Sequence, residues 1–102
     1  MICDLHEIKY LMIIRYDLAG KRWSLLRKIA QTFPKLECLI LEECSGFTVE
    51  DLEMMLDTVG FNLSILTVLE KNSPDRAPSA KQMEHLRSRV TQLLWVQSNH
   101  LY

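Results

Sequence analysis

Phe33-Pro34-Lys35-Leu36-Glu37-Cys38-Leu39-Ile40-Leu41-Glu42-Glu43-Cys44 is the stretch that decides how this chain folds. Leu36, Leu39 and Leu41 stand at L-x-x-L-x-L spacing, and Cys44 follows three residues later. Side chains alternate along a strand, so Leu39 and Leu41 point to one face while Cys38, Ile40 and Glu42 point to the other. Stepping back 28 residues lands on Ile8, Leu11, Ile13 and Tyr16, and stepping forward 27 lands on Leu63, Leu66, Val68 and Lys71. Three of the four positions are apolar in each copy. A fixed interval of this length marks repeated supersecondary units.

Each interval has room for a covering helix. In the first, Trp23, Leu26, Ile29, Ala30 and Phe33 recur at helical spacing after Gly20, and Pro34 blocks continuation. The second places Leu52, Met55, Leu56 and Val59 on one helical face, starting at Thr48 with Asp51 three residues on and stopping at Gly60. The third places Met83, Leu86, Val90, Leu93 and Leu94 on a long helix opened by a Ser79 and Gln82 capping box. Strands separated by helices pair in parallel. The expected architecture is therefore a single α/β domain over residues 1–102, with units at about 6–33, 34–60 and 61–102 and strand order one, two, three. Ser45-Gly46-Phe47 reads as a tight turn, and the proline-containing segment Asn72–Ser79 as the most mobile loop.

Residues 33–52 resemble the cysteine-containing class of leucine-rich repeats, the kind found in F-box receptor subunits of ubiquitin ligases. Leu36, Leu39, Leu41, Cys44, Phe47, Thr48 and Leu52 occupy that repeat's signature positions, with Tyr16 and Lys71 standing where the flanking copies would have cysteine. The resemblance implies a short solenoid of three strand-helix units that binds another protein through its strand face or loops.

Composition narrows the function classes. A formal net charge of -1 gives no overall attraction to nucleic acid or to an anionic membrane. The apolar run Leu11–Ile14 is too short to cross a bilayer. Three cysteines without a secretion signal read as reduced thiols, which points to the cytoplasm or nucleus. Cys3 and His6 make one isolated pair of metal-ligand types, and Cys38 and Cys44 fall on opposite faces, so neither metal nor cofactor is expected. His6, His85 and His100 are scattered and no nucleophile motif occurs, so the chain is not expected to be an enzyme.

Charge is uneven along the chain. Residues 1–33 carry six Lys or Arg against three acids, and residues 34–61 carry one against seven. Lys21, Arg22, Arg27 and Lys28 are expected to pair with Glu50, Asp51, Glu53 and Asp57 across neighbouring helices. The outward strand row holds Tyr10, Met12, Ile14, Cys38, Ile40, Glu42, Ile65, Thr67 and Leu69, of which Glu42 and Thr67 alone are polar. A one-sided sheet facing water would alternate apolar with polar residues, so this face is expected to meet something. Tyr10, Met12, Cys38, Ile40, Ile65 and Thr67 are the candidate partner-binding residues. The functional expectation is a protein-protein interaction module, such as the substrate-adaptor repeat of a ubiquitin ligase. The alternative is a structural subunit or homodimer whose sheet face stays buried. Leu93–Tyr102 reads as a cap over the last unit.

Overall fold

The computed structural model describes residues 7–22, 24–70 and 77–97. Four strands, β1 (Tyr10–Ile14), β2 (Cys38–Glu42), β3 (Ile65–Glu70) and β4 (Gln92–Gln97), alternate with three helices, α1 (Leu26–Thr32), α2 (Val49–Leu56) and α3 (Ala80–Arg89). All neighbouring strands pair in parallel, in the order β1-β2-β3-β4. Tyr10 lies opposite Cys38, Cys38 opposite Ile65, and Ile65 opposite Gln92, which reproduces the 28- and 27-residue steps and adds a further step of 27.

The same hydrogen bonds recur at each step. The Lys9 carbonyl accepts from the amides of Glu37 and Cys38, the Glu37 carbonyl from Ser64 and Ile65, and the Ser64 carbonyl from Thr91 and Gln92. At the other end of the strands, Arg15 and Glu43 take the left-handed backbone region with φ of 50° and 52°. Their amides donate to the Glu42 and Leu69 carbonyls across the sheet. A non-glycine residue there costs roughly 1 kcal/mol, so its repetition shows that the turn after the strand is imposed by packing.

Leu39, Leu41, Leu66 and Val68 are fully buried, whereas their outward neighbours are half-buried or exposed. Helices therefore cover one face of the sheet. Leu26, Ile29 and Ala30 of α1, Val49, Leu52, Met55 and Leu56 of α2, and Leu86 of α3 complete the core. Thr48 and Ser79 form the expected capping boxes: each side-chain oxygen accepts from the amide three residues on, Asp51 or Gln82, whose side chain accepts from the cap's own amide. Gly46 sits in the turn before α2 with φ +76°. Cys44 is buried and its Sγ donates to the carbonyls of Ile13, 3.3 Å away, and Glu42, so the thiol ties the β2 turn to the preceding strand.

Expectations for the third helix, the strand count, the chain's last segment and Val59 are corrected. The third helix ends at Arg89, because Val90 adopts extended backbone (φ -128°, ψ 155°), and Leu93 and Leu94 lie in β4 on opposite faces of the sheet. The edge hydrogen bonds of β3 reward strand pairing there more than a longer, largely solvated helix would be rewarded. Among the described residues there are accordingly four strand copies where three were expected, and Leu93–Gln97 of the segment expected as a cap lie in β4. Val59 is 99% exposed and belongs to no packed face, because α2 stops at Leu56 and the chain turns through Gly60 at φ +84°. Trp23, the Asn72–Arg76 part of the loop read as mobile, the Cys3 and His6 pair, His100 and residues 98–102 lie outside the described residues.

Candidate functional site

The outward side chains form three rows across the sheet. Tyr10, Cys38, Ile65 and Gln92 make the first, Met12, Ile40, Thr67 and Leu94 the second, and Ile14, Glu42, Leu69 and Val96 the third. All six candidate residues thus lie together in the first two rows. The register that brings them together follows from the inward leucines: slipping a strand by one residue would expose its whole buried set.

Of the twelve positions, Glu42, Thr67 and Gln92 are polar and the rest apolar. Tyr10 is 58% exposed and Leu94 52%, with Met12, Ile14 and Val96 also open. The outward side chains of the two middle strands are half-buried, with a neighbouring strand on either side. Leu94 and Val96 are absent from the sequence-based set because Val90, Leu93 and Leu94 read as one helical face and Leu93–Tyr102 as a cap. A further shift of 27 from Leu63, Leu66 and Val68 to Val90, Leu93 and Trp95 is the signal that would have found them. Partial burial pushes the Cys38 thiol above its ordinary pKa, which keeps it protonated and weakly nucleophilic at neutral pH.

The helix layer contains a charged cluster. His85 Nδ1 meets Glu53 Oε2, His85 Nε2 lies 3.5 Å from Asp57 Oδ1, and Arg89 Nε donates to the same Asp57 oxygen at 2.8 Å. The hydrogen bond to Glu53 raises the His85 pKa above 6.5; burial opposes this and the Asp57 charge adds to it. Both ring nitrogens face carboxylates, so the imidazole cross-links α2 to α3 instead of presenting a base to a substrate. Asp51 is used by the Thr48 cap and Glu50 accepts from Gln82 Nε2. The acids of α2 therefore turn toward their own cap and toward α3, which corrects the expected pairing for Lys21, Arg22 and Lys28. Among the described residues no group of three or more metal-ligating side chains converges, and no helix is long and apolar enough to cross a membrane.

No family model matches the chain, and neither a curated protein nor a solved structure matches it.

Proposed function

We propose that this chain is a non-enzymatic protein-interaction module of leucine-rich-repeat-like architecture, whose partner docks on the sheet face centred on Tyr10, Met12, Cys38, Ile40, Ile65 and Thr67. The observation that carries this reading is the concentration of apolar side chains over four aligned strands on the face away from the helices. Solvent-facing sheets ordinarily alternate apolar with polar residues, and a contiguous apolar patch marks a contact surface. An assignment to the substrate-adaptor part of a ubiquitin ligase rests on the resemblance of residues 33–52 and on nothing else.

Size discriminates between a receptor face and a permanent homodimer. Four strands about 4.8 Å apart, each of five or six residues rising about 3.3 Å, give a footprint on the order of 300 Å². Two copies stacked face to face would bury roughly 600 Å², well below the ~1,200 Å² of a stable interface. A partner that also grips the loops at the strand ends escapes this limit, and this favours the docking reading over self-association through the face alone.

The test is an affinity capture from cell extract with the native chain and with the double variant Met12→Asp, Ile40→Asp, the fold of each being checked by circular dichroism. The reading predicts that captured proteins disappear with the folded variant. It fails if the variant keeps both its fold and every partner. Light scattering over a range of concentrations separates the homodimer, which would show a dimer that dissociates in the variant.

A further inference from the structure

Between β1 and α1, on the side away from β2, the described residues leave the hydrophobic core uncovered. An apolar groove of about 440 Å³ is lined there by Leu11, Ile13, Tyr16, Leu25, Ile29 and Phe33, with Lys28 at its border. No β2 or α2 residue lines it. Leu11 and Ile13 are half-buried, while their counterparts Leu39, Leu41, Leu66 and Val68 are fully buried, because each of those strands has a neighbour on both sides. β1 is an edge strand of the sheet, so the backbone N–H and C=O groups on its outer side lack a strand partner among the described residues.

Beside this groove lies a second concavity, which shares Leu25 and Lys28 with it and is bordered by Lys21 and Arg22. No carboxylate lines either opening among the described residues. The α2 acids Glu50, Asp51, Glu53 and Asp57 are engaged by the Thr48 cap and by α3, and Asp17 Oδ1 accepts from the Ala19 amide. Two independent features thus meet at one place: an apolar slot along an unpaired strand, and a cationic rim.

We propose that the β1–α1 end binds an extended acidic segment of another protein. The segment adds a strand along β1, sets alternate apolar side chains into the groove and places carboxylates against Lys21, Arg22 and Lys28. Backbone pairing supplies affinity in such an arrangement, and the pockets for alternate side chains supply specificity. The cationic rim favours an acidic segment through complementary potential and steers its approach. This site is separate from the sheet face and does not rest on the docking proposed there.

The experiment is a titration of the full ¹⁵N-labelled chain, followed by amide chemical shifts. The probe is a peptide of about ten residues with leucine at alternate central positions and glutamate on both flanks. Saturable shifts are expected along Leu11–Ile13 and at Lys28 and Ile29. Affinity should fall at least about tenfold in the charge-reversal variant Lys21→Glu, Arg22→Glu, Lys28→Glu, whose melting temperature reports its fold, and should fall as salt rises. The proposal is overturned if β1 amides do not shift, or if a peptide with lysine flanks binds equally well. It is overturned also if inorganic phosphate or an oligonucleotide reproduces the shifts, which would make the rim a general anion site. Self-association mapping to the same amides would assign the groove to a second copy, and binding that appears only after removal of residues 1–6 would assign it to the chain itself; either result overturns the proposal.

Discussion

Gly46 packs against Asp17 so closely that a β-carbon built on the glycine would lie 2.1 Å from Asp17 Oδ1 and 2.4 Å from the Ala19 amide nitrogen. Asp17 cannot simply swing away, since the same oxygen accepts from that amide at 3.0 Å and Asp17 bridges to Ser45. This contact joins the turn after β1 to the turn after β2, and Gly46 also holds φ +76°. Gly46→Ala is therefore expected to lose roughly 2–4 kcal/mol, from the clash and from the left-handed backbone together. Chemical denaturation checks this, and a loss within 0.5 kcal/mol, the ~0.5 kcal/mol scale of neutral surface changes, would contradict the geometry.

The His85 cross-link between α2 and α3 predicts a pH dependence with a definite sign. Its folded pKa is raised above 6.5 by the Glu53 hydrogen bond, so its stabilisation is complete below about pH 6.5 and disappears as pH rises through the folded value. His85→Ala should therefore cost more at pH 5.5 than at pH 8.5. About a third of the side chain is exposed and solvent screens the pair, which limits the acid-side effect to about 0.5–1 kcal/mol. Thermal unfolding of both proteins at the two pH values measures it; an equal loss at both would remove the charged cross-link.

Leu93 and Leu94 test the fourth strand. Leu93 packs against the core and Leu94 is 52% exposed on the outer face. Leu93→Lys should destabilise by about 2 kcal/mol or more, through lost apolar burial and a charge forced toward the core, while Leu94→Lys should remain within about 0.5 kcal/mol. Comparable losses from both substitutions would contradict the alternation of a strand.

The two described cysteines should differ sharply in reactivity. Cys44 is buried with its thiol donating to the Ile13 carbonyl, and Cys38 lies half-buried on the outer row with a raised pKa. In a Cys3→Ser background, iodoacetamide should label Cys38 at a rate that climbs with pH, and Cys44 at least about tenfold more slowly until denaturant is added. Mass spectrometry of the labelled peptides reads both. Equal labelling of the two thiols under native conditions would place Cys44 outside the core.

The sequence by itself determined the period, the inward leucines and the outward row, because alternation along a strand and a constant step between copies are local and periodic properties of the chain. Thr48 with Asp51 and Ser79 with Gln82 marked two helix starts for the same reason: a cap is satisfied by residues three apart. The end of α3 was decided by tertiary structure. Met83, Leu86, Val90, Leu93 and Leu94 fit a helical face as well as Val90, Leu93 and Trp95 fit a strand, and the choice came from the open edge of β3, which is 27 residues away in sequence. The partners of the α2 acids were decided in the same way: charge counts show that cations are available, but the relative placement of α1, α2 and α3 chose His85 and Arg89. That choice leaves Lys21, Arg22 and Lys28 along the rim of an open groove. A run of residues can specify which of its own side chains are apolar or charged, but which surfaces remain uncovered depends on what every other element has already taken.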